Sequence, residues 1–363
     1  MSQSYTSNAQ LLISKSALLA NIATYRSLIS TNTKILVMVK SNGYGTDPLL
    51  VAKTIEKKVD YLGVAFPTTG YDLRENGIET PIFVMASKPS DLSKMAANKM
   101  EPVLYSLQMV KAAVELKQPL KVHIEIDAGM KRLGLLSKDI NEAIALLNAS
   151  SVTVISAFAH VVAPGEEIHD EFTHAQASYF NTCFEQLYKG LSHKPFKQLM
   201  PTAGVNRFNQ YQYDMVRLGI GIYGHDSANL LNNKLKPVAT LQCQILQIVA
   251  VGKDETIGYS RKGSLPYNGK IATLSIGYGD GYLRVCGNGK AEVYINGQRA
   301  KTVGTICMDL IMVDVTHIDC EPGDLVELFG ANISIKEMAD ATKTIPYEIL
   351  TNINARVERV LVD

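Results

Sequence analysis

The sequence has no excess of either charge. Lys and Arg number 36 against 35 Asp and Glu, a formal net charge of +1. No strong field is present to draw nucleic acid or an anionic membrane surface. No apolar run approaches the ~18 residues of a membrane span. The opening stretch, MSQSYTSNAQLLISKSALLANI, has no basic segment followed by an apolar one, so no secretory signal is read. Cysteine is scarce: Cys183, Cys243, Cys286, Cys307 and Cys320 are scattered, five in all, without a CxxC pair or a Cys/His cluster. That argues against structural zinc and for a reducing compartment, the cytoplasm. Repeats at solenoid period, low-complexity tracts and long charge runs are missing too.

What is present is length and rhythm. The chain has 363 residues, 46% of them apolar, enough for about two domains with sizeable cores. From residue 11 to 235, strand-like runs alternate with helix-like ones. The strand candidates are ILVMVK, DYLGVAF, PIFVMAS, PVLYS, KVHIEID, VTVISAFAH, QLMPTA and MVRLG. Helix-like runs between them include PLLVAKTIEKKV, QMVKAAVELK and DINEAIALLNAS. Eight such units over this length predict an α/β fold, a (β/α)8 TIM-like barrel. From residue 236 to 363 the runs are strand-like with short turns, and Asn296-Gly297 is a strong hairpin signal. This part reads as a mostly antiparallel β domain. Residues 1–10 are expected to add an N-terminal strand to it.

Lys40 ends the first strand-like run and is followed by SNGYG. A lysine there either reaches solvent or is a reactive amine. In a barrel the C-terminal strand ends carry the chemistry, which favours the second reading. In VHIEIDAGMKRLG, strand alternation puts Val122, Ile124 and Ile126 on one face and His123, Glu125 and Asp127 on the other. Polar groups directed into a barrel mouth need partners. Arg132 is expected to pair with Glu125, as structural ion pair or as site.

VMVKSNGYG, EIDAGMKRLG, DMVRLGIGIYG, IGYS and ICMD, in that order, resemble the alanine racemase family, and the likeness runs on to YEILTNINARV. The resemblance implies pyridoxal 5′-phosphate, an amino-acid substrate, production of D-alanine for peptidoglycan, and a homodimer with shared active sites. On it, Lys40 matches the lysine that binds the cofactor and serves as one base. Tyr259 matches the opposite base, supplied by the partner subunit, and His160 the histidine beside it. Tyr44, Thr202, Gly219, Ile220 and Tyr347 match groups around the phosphate. Arg217 matches the arginine at the pyridine nitrogen. Arg132 and the Met308 backbone match groups that position the substrate carboxylate. Tyr278 matches a residue of the substrate entrance, Asp309 sits beside Met308 in the same motif, and Glu125 supports Arg132. No metal is implied.

These residue types suit racemisation. A proton leaves one face of a carbon and another returns to the opposite face, so two bases are needed. Lys and Tyr both ionise near 10 and need tuning, for the tyrosine by a cation or a positively polarised histidine network. A helix N-terminus after the last barrel strands is the expected phosphate cradle. The sequence departs from the family at Ser41 and Gly43, usually alanine, and at Pro201 and Thr202, where asparagine and serine are common. Thr305 stands where many members have arginine. Glu125 stands where many have a lysine carrying a carbamate. The rival readings are a racemase of broader specificity and a pyridoxal-phosphate amino-acid decarboxylase of the same architecture. The latter places a carboxylate where Arg217 stands.

Overall fold

The computed structural model describes residues 8–231 and 233–363. The chain forms two compact units, and each is taken by itself. One holds Leu18–Gly43 and Pro48–Lys236. The other holds residues 8–17, Tyr44–Asp47 and Pro237–Asp363.

The N-terminal strand is β1 (Gln10–Ser14), later in the chain than the expected 1–10. Residues 1–7 of that expectation lie outside the described residues. Leu11 and Ile13 decide the position, because both are fully buried while Gln10, Leu12 and Ser14 are partly exposed.

The first unit is a closed eight-stranded parallel barrel, as predicted. Its strands are β2 (Lys34–Met38), β3 (Tyr61–Val64), β4 (Ile82–Val84), β5 (Met100–Leu104), β6 (Leu120–Glu125), β7 (Val152–Phe158), β8 (Phe196–Pro201) and β9 (Met215–Leu218). Each strand pairs with the next, and β9 closes on β2 through Lys34 opposite Met215 and Leu36 opposite Arg217. Helices such as Pro48–Ile55, Leu107–Glu115, Ile140–Asn148 and Asp170–Gly190 lie between strands. The strands read as continuous apolar runs because both faces are covered.

Directly paired residues of parallel strands point the same way, so the register carries one face around the barrel. Met38 faces Gly63, Gly63 faces Phe83, and Phe83 faces Glu101. Val103 then faces His123, and His123 faces Ser156. Gly63 is a packing requirement: a Cβ there would lie 2.4 Å from Met38 Sδ and 2.8 Å from Leu36 Cδ2. The same face holds polar groups, since Glu101, His123, Ser156, Gln198 and Arg217 are all buried.

In the second unit, β10 (Ala239–Val251) is the spine, followed by β11 (Gly269–Leu274), β12 (Glu292–Ile295), β13 (Gln298–Lys301), β14 (Ile311–Asp314), β15 (Leu325–Phe329) and β16 (Glu358–Val362). The sheet order is β13-β12-β15-β10-β1-β16, with β11 pairing β10 and β14. All these pairs are antiparallel except β1 with β16. The predicted hairpin joins β12 and β13 with Asn296 and Gly297 both at positive φ, 44° and 87°. That is the two-residue turn whose twist matches the strands.

Candidate active site

Lys40 is not the last residue of its strand. Strand β2 ends at Met38, and Lys40 opens a tight turn through Tyr44. Ser41, Asn42 and Gly43 have φ of 52°, 55° and 61°, and Tyr44 of 54°, a run of left-handed backbone. Left-handed conformation costs roughly 1–2 kcal/mol per ordinary residue, and such strain gathers at functional sites. The Gly43 N–H returns to the Val39 carbonyl at 3.2 Å and holds the turn. Burial and the nearby Arg132 lower the Lys40 pKa below the usual lysine value, so the neutral amine is more accessible.

Arg217 is buried on β9. Its Nη2 donates to the carbonyls of Ala159 at 2.8 Å and Leu199 at 3.1 Å, and its Nη1 to Gln198 Oε1 at 3.4 Å. Nε binds no protein acceptor among the described residues. Burial pulls the guanidinium down to about 10, with Glu125 opposing.

His160 follows β7, and its buried Nδ1 has no hydrogen-bond partner. Burial pushes its pKa down to about 3, with Arg217, Arg132 and Lys40 adding to the shift. The ring is therefore neutral, and the cations beside it can polarise it without protonating it. Three cations around one ring leave no electrostatic room for a fourth.

The expected Glu125–Arg132 pair does not form. Glu125 is buried on β6, Arg132 is exposed, and no ion pair joins them. Burial raises the Glu125 pKa to about 7, against the pull of Arg132 and Arg217. Asp127 does not sit open in the mouth either. Its Oδ1 accepts the N–H groups of Gly129 at 2.9 Å and Lys131 at 3.0 Å, folding the loop that carries Arg132. Gly134 completes that loop with φ 128°, since a Cβ would lie 2.3 Å from the Asp127 nitrogen.

The expected helix N-terminus after β9 is a single 3-10 turn, Ile220–Tyr223. The first N–H groups of any helical turn lack internal acceptors, so Ile220 and its neighbours keep an anion-binding character. Gly219 differs, because its N–H is taken by Thr202 Oγ1 at 2.7 Å. Gly221 lets the turn pack tightly: a Cβ would meet the Tyr25 hydroxyl at 2.2 Å and Thr202 Cγ2 at 2.6 Å.

In the second unit, Tyr44 is buried beside Tyr347, with ring centroids 6.1 Å apart. Burial, with Tyr347 close by, raises the Tyr44 pKa, so its hydroxyl is a proton donor at neutral pH. Tyr259 is 67% exposed on the turn Gly258–Arg261, where Gly258, Ser260 and Arg261 have φ of 73°, 57° and 54°. Paired Ile257 and Gly263 backbone bonds of 2.8 and 3.1 Å pin the turn over a core of Ile257, Leu265, Ile271, Val303 and Met312. Thr305 is buried nearby, its backbone about 4 Å from a Cβ built on Gly258.

Tyr278, Met308 and Asp309 come together. The Tyr278 N–H donates to the Cys307 carbonyl at 3.1 Å and the Gly279 N–H to the Met308 carbonyl at 2.8 Å. Arg356 clamps the group, with Nη2 2.7 Å from Asp309 Oδ1 and Nε 2.8 Å from Asp280 Oδ1. Sequence reasoning missed Arg356 and Asp280. Arg356 lies within NINARV, a stretch quoted for the resemblance without singling it out. His123 was noticed only as a face residue, and its partners Glu101, Ser156 and Gln198 not at all.

A parallel barrel with a withdrawn lysine, a buried arginine and an unpartnered histidine past its strand ends, joined to a β unit, defines an enzyme of the barrel class. The chain matches the family models "Alanine racemase, N-terminal domain" over residues 13–227 and "Alanine racemase, C-terminal domain" over residues 238–361. It is 34% identical over 356 residues to the alanine racemase of Clostridium perfringens, covering 94% of this chain and 92% of the relative. Against that of Halothermothrix orenii it is 33% identical over 360 residues, covering 96% and 95%. Among solved structures, alanine racemase of Clostridium difficile matches with TM-score 0.92 and 31% identity over 98% of this chain and 96% of that one. That of Bacillus anthracis with bound L-Ala-P matches at TM-score 0.91 and 28% identity, over 99% and 96%. The chain belongs to the alanine racemase family and is an isomerase. No helix among the described residues is long and apolar enough to cross a membrane.

Proposed function

We propose that this enzyme interconverts L- and D-alanine with pyridoxal 5′-phosphate, by a two-base mechanism, and supplies D-alanine for peptidoglycan in the cytoplasm. The observation that carries it is the Lys40 amine, held on a strained turn and made easier to deprotonate by burial and Arg132. The donor set also fits the cofactor. Arg217 has one N–H free of protein acceptors for a ring nitrogen, and the buried His160 Nδ1 lacks a partner. When bound, the cofactor withdraws electrons from the substrate's α-carbon and acidifies its proton.

Lys40 holds the cofactor and moves a proton on one face of the substrate. The partner subunit's Tyr259 moves the proton on the other face, each active site of the homodimer being shared. Arg217 has no site to accept a proton, so it leaves the ring nitrogen unprotonated and limits electron withdrawal. That restrains side reactions such as transamination. Thr202, Ile220, Tyr44 and Tyr347 surround the phosphate, with Gly219 acting through Thr202. Arg132 and the Met308 backbone hold the substrate carboxylate, with Asp309 beside Met308, and Tyr278 borders the entrance. Arg217 favours this reading over a decarboxylase, which needs a carboxylate at that position.

The test is turnover of L-alanine followed by circular dichroism, beside borohydride treatment of the yellow protein. The signal should decay to zero as the racemic mixture forms, and the reduced cofactor should map to Lys40. An adduct on another lysine, or conversion of L-alanine to ethylamine with release of carbon dioxide, overturns the proposal.

A further inference from the structure

An unbroken series of side-chain hydrogen bonds crosses the barrel interior from Glu101 on β5 to Arg217 on β9. His123 Nε2 lies 2.9 Å from Glu101 Oε2, and His123 Nδ1 lies 2.6 Å from Ser156 Oγ. Gln198 Nε2 lies 2.6 Å from the same Ser156 Oγ, and Gln198 Oε1 takes Arg217 Nη1 at 3.4 Å. Each of the five residues is 6% exposed or less. Buried polar groups in this number are retained only where every member is satisfied.

Chemistry fixes the direction. Arginine only donates, so Gln198 must turn its oxygen to Arg217 and its NH2 to Ser156. Ser156 Oγ accepts there and meets no other side-chain or backbone acceptor among the described residues, so its one proton goes to His123 Nδ1. His123 must then carry its own proton on Nε2 and donate it to Glu101. Burial, with the same carboxylate close by, raises the pKa of the Tyr61 hydroxyl. All bonds therefore point from the arginine to the carboxylate, an alignment in which each bond polarises the next. The His123 ring is held against Phe83, centroids 4.5 Å apart, and edge-on to Tyr61 at 5.8 Å. Burial lowers the His123 pKa although Glu101 opposes it.

We propose that Glu101, His123, Ser156 and Gln198 are positioning residues: a one-way relay that fixes the Gln198 amide and brings the influence of the Glu101 carboxylate to Arg217. A carboxylate in direct contact would take up the guanidinium N–H groups. The relay fixes the acceptor at Nη1 and leaves Nε for the ring nitrogen, while Glu125 is the carboxylate that acts directly on the guanidinium charge. The assignment of that nitrogen rests on the function proposed above, whereas the direction of the relay does not.

Two measurements test it. Long-range 15N–1H correlation spectra of histidine-labelled protein should show His123 as the neutral Nε2–H tautomer throughout pH 6–9. An Nδ1–H tautomer or an imidazolium overturns the relay, whatever the cofactor. In holoenzyme, Ser156→Ala should weaken pyridoxal-phosphate binding roughly 2- to 10-fold, the scale of one hydrogen bond, and shift its absorption band. Glu101→Gln, which touches nothing at the mouth, should shift the band likewise and lower kcat with KM unchanged. Combined with Ser156→Ala it should add nothing, because the connection is already cut. Lower melting temperatures with unchanged cofactor binding and spectrum, or additive effects in the double variant, overturn the proposal. Wild-type protein that binds no pyridoxal phosphate overturns the proposed function instead, and the His123 tautomer still decides the relay.

Discussion

Thr202 Oγ1 accepts the backbone N–H of Gly219 at 2.7 Å, tying the end of β8 to the end of β9. The hydroxyl proton stays free to donate outward, so one side chain both braces the turn and offers an anion a donor. Thr202→Val keeps the shape and removes the bond. Unfolding in urea should show a loss of about 1–3 kcal/mol, the cost of an unsatisfied buried N–H, together with weaker phosphate-group binding. Thr202→Ser should retain both. A serine variant as poor as valine would show that the methyl packing on Gly221 matters more than the bond.

Gly43 and Gly45 both have positive φ, 61° and 84°, but they answer to different forces. Gly43→Ala should cost at least the left-handed strain, about 1–2 kcal/mol. Gly45→Ala adds a collision, since its Cβ would lie 2.1 Å from the Leu350 carbonyl oxygen. Backbone cannot swing aside as a side-chain end can, so this variant should lose more than 3 kcal/mol or fail to accumulate as soluble protein. Denaturant melts of both decide it, and equal losses would show that the Leu350 segment yields.

The barrel was legible in the sequence because its strands are continuous apolar runs bounded by polar turns. Each of the eight strand-like runs overlaps an observed strand. The β unit was legible through Asn296-Gly297 and the long run Ala239–Val251. The last strand, Glu358–Val362, and the helices Ile335–Thr342 and Pro346–Thr351 were not anticipated, being short elements that depend on packing. At the site, residue types were readable but pairings were not. Glu125 and Arg132 stand seven positions apart and look like partners, yet one is buried and the other exposed. The Glu101 to Arg217 series joins five strands, so no local spacing could reveal it.

Glu125 should make the protein's stability depend on pH. Its folded pKa is raised from 4.5 to about 7, so the folded state holds the proton more tightly than the unfolded chain. At pH 4 both states are protonated and the residue costs nothing. As pH rises toward 7 the unfolded chain ionises first, and stability is lost until the folded carboxyl ionises too. Glu125→Gln does not titrate. Its stability relative to wild type should therefore improve by up to about 3 kcal/mol between pH 4.5 and pH 8. Urea melts of cofactor-free protein at the two pH values measure this. A constant difference would mean that Glu125 is ionised throughout, held by water or by a moved Arg132. Activity should also be independent of bicarbonate, because a carboxylate at this position needs no carbamate.

Lys40 and Tyr259 occupy different units, and the proposed mechanism draws them from different subunits. Lys40→Ala and Tyr259→Phe should each abolish racemisation in a pure homodimer, because every site then lacks one base. The two losses should differ in kind. In heavy water Tyr259→Phe should still exchange the α-proton of one alanine enantiomer, the one that Lys40 deprotonates, and spare the other. Lys40→Ala should lose its hold on the cofactor as well. Mixed and allowed to exchange subunits, the two variants form hybrid dimers in which one site receives both defects and the other receives none. With random pairing roughly half of all dimers are hybrids, each with one intact site of two, so about a quarter of wild-type activity should return if assembly is dimeric. Circular dichroism of L-alanine turnover measures the recovery, and native mass spectrometry confirms the exchange. Full exchange without recovery would place both bases in one chain and remove the shared site from the proposal.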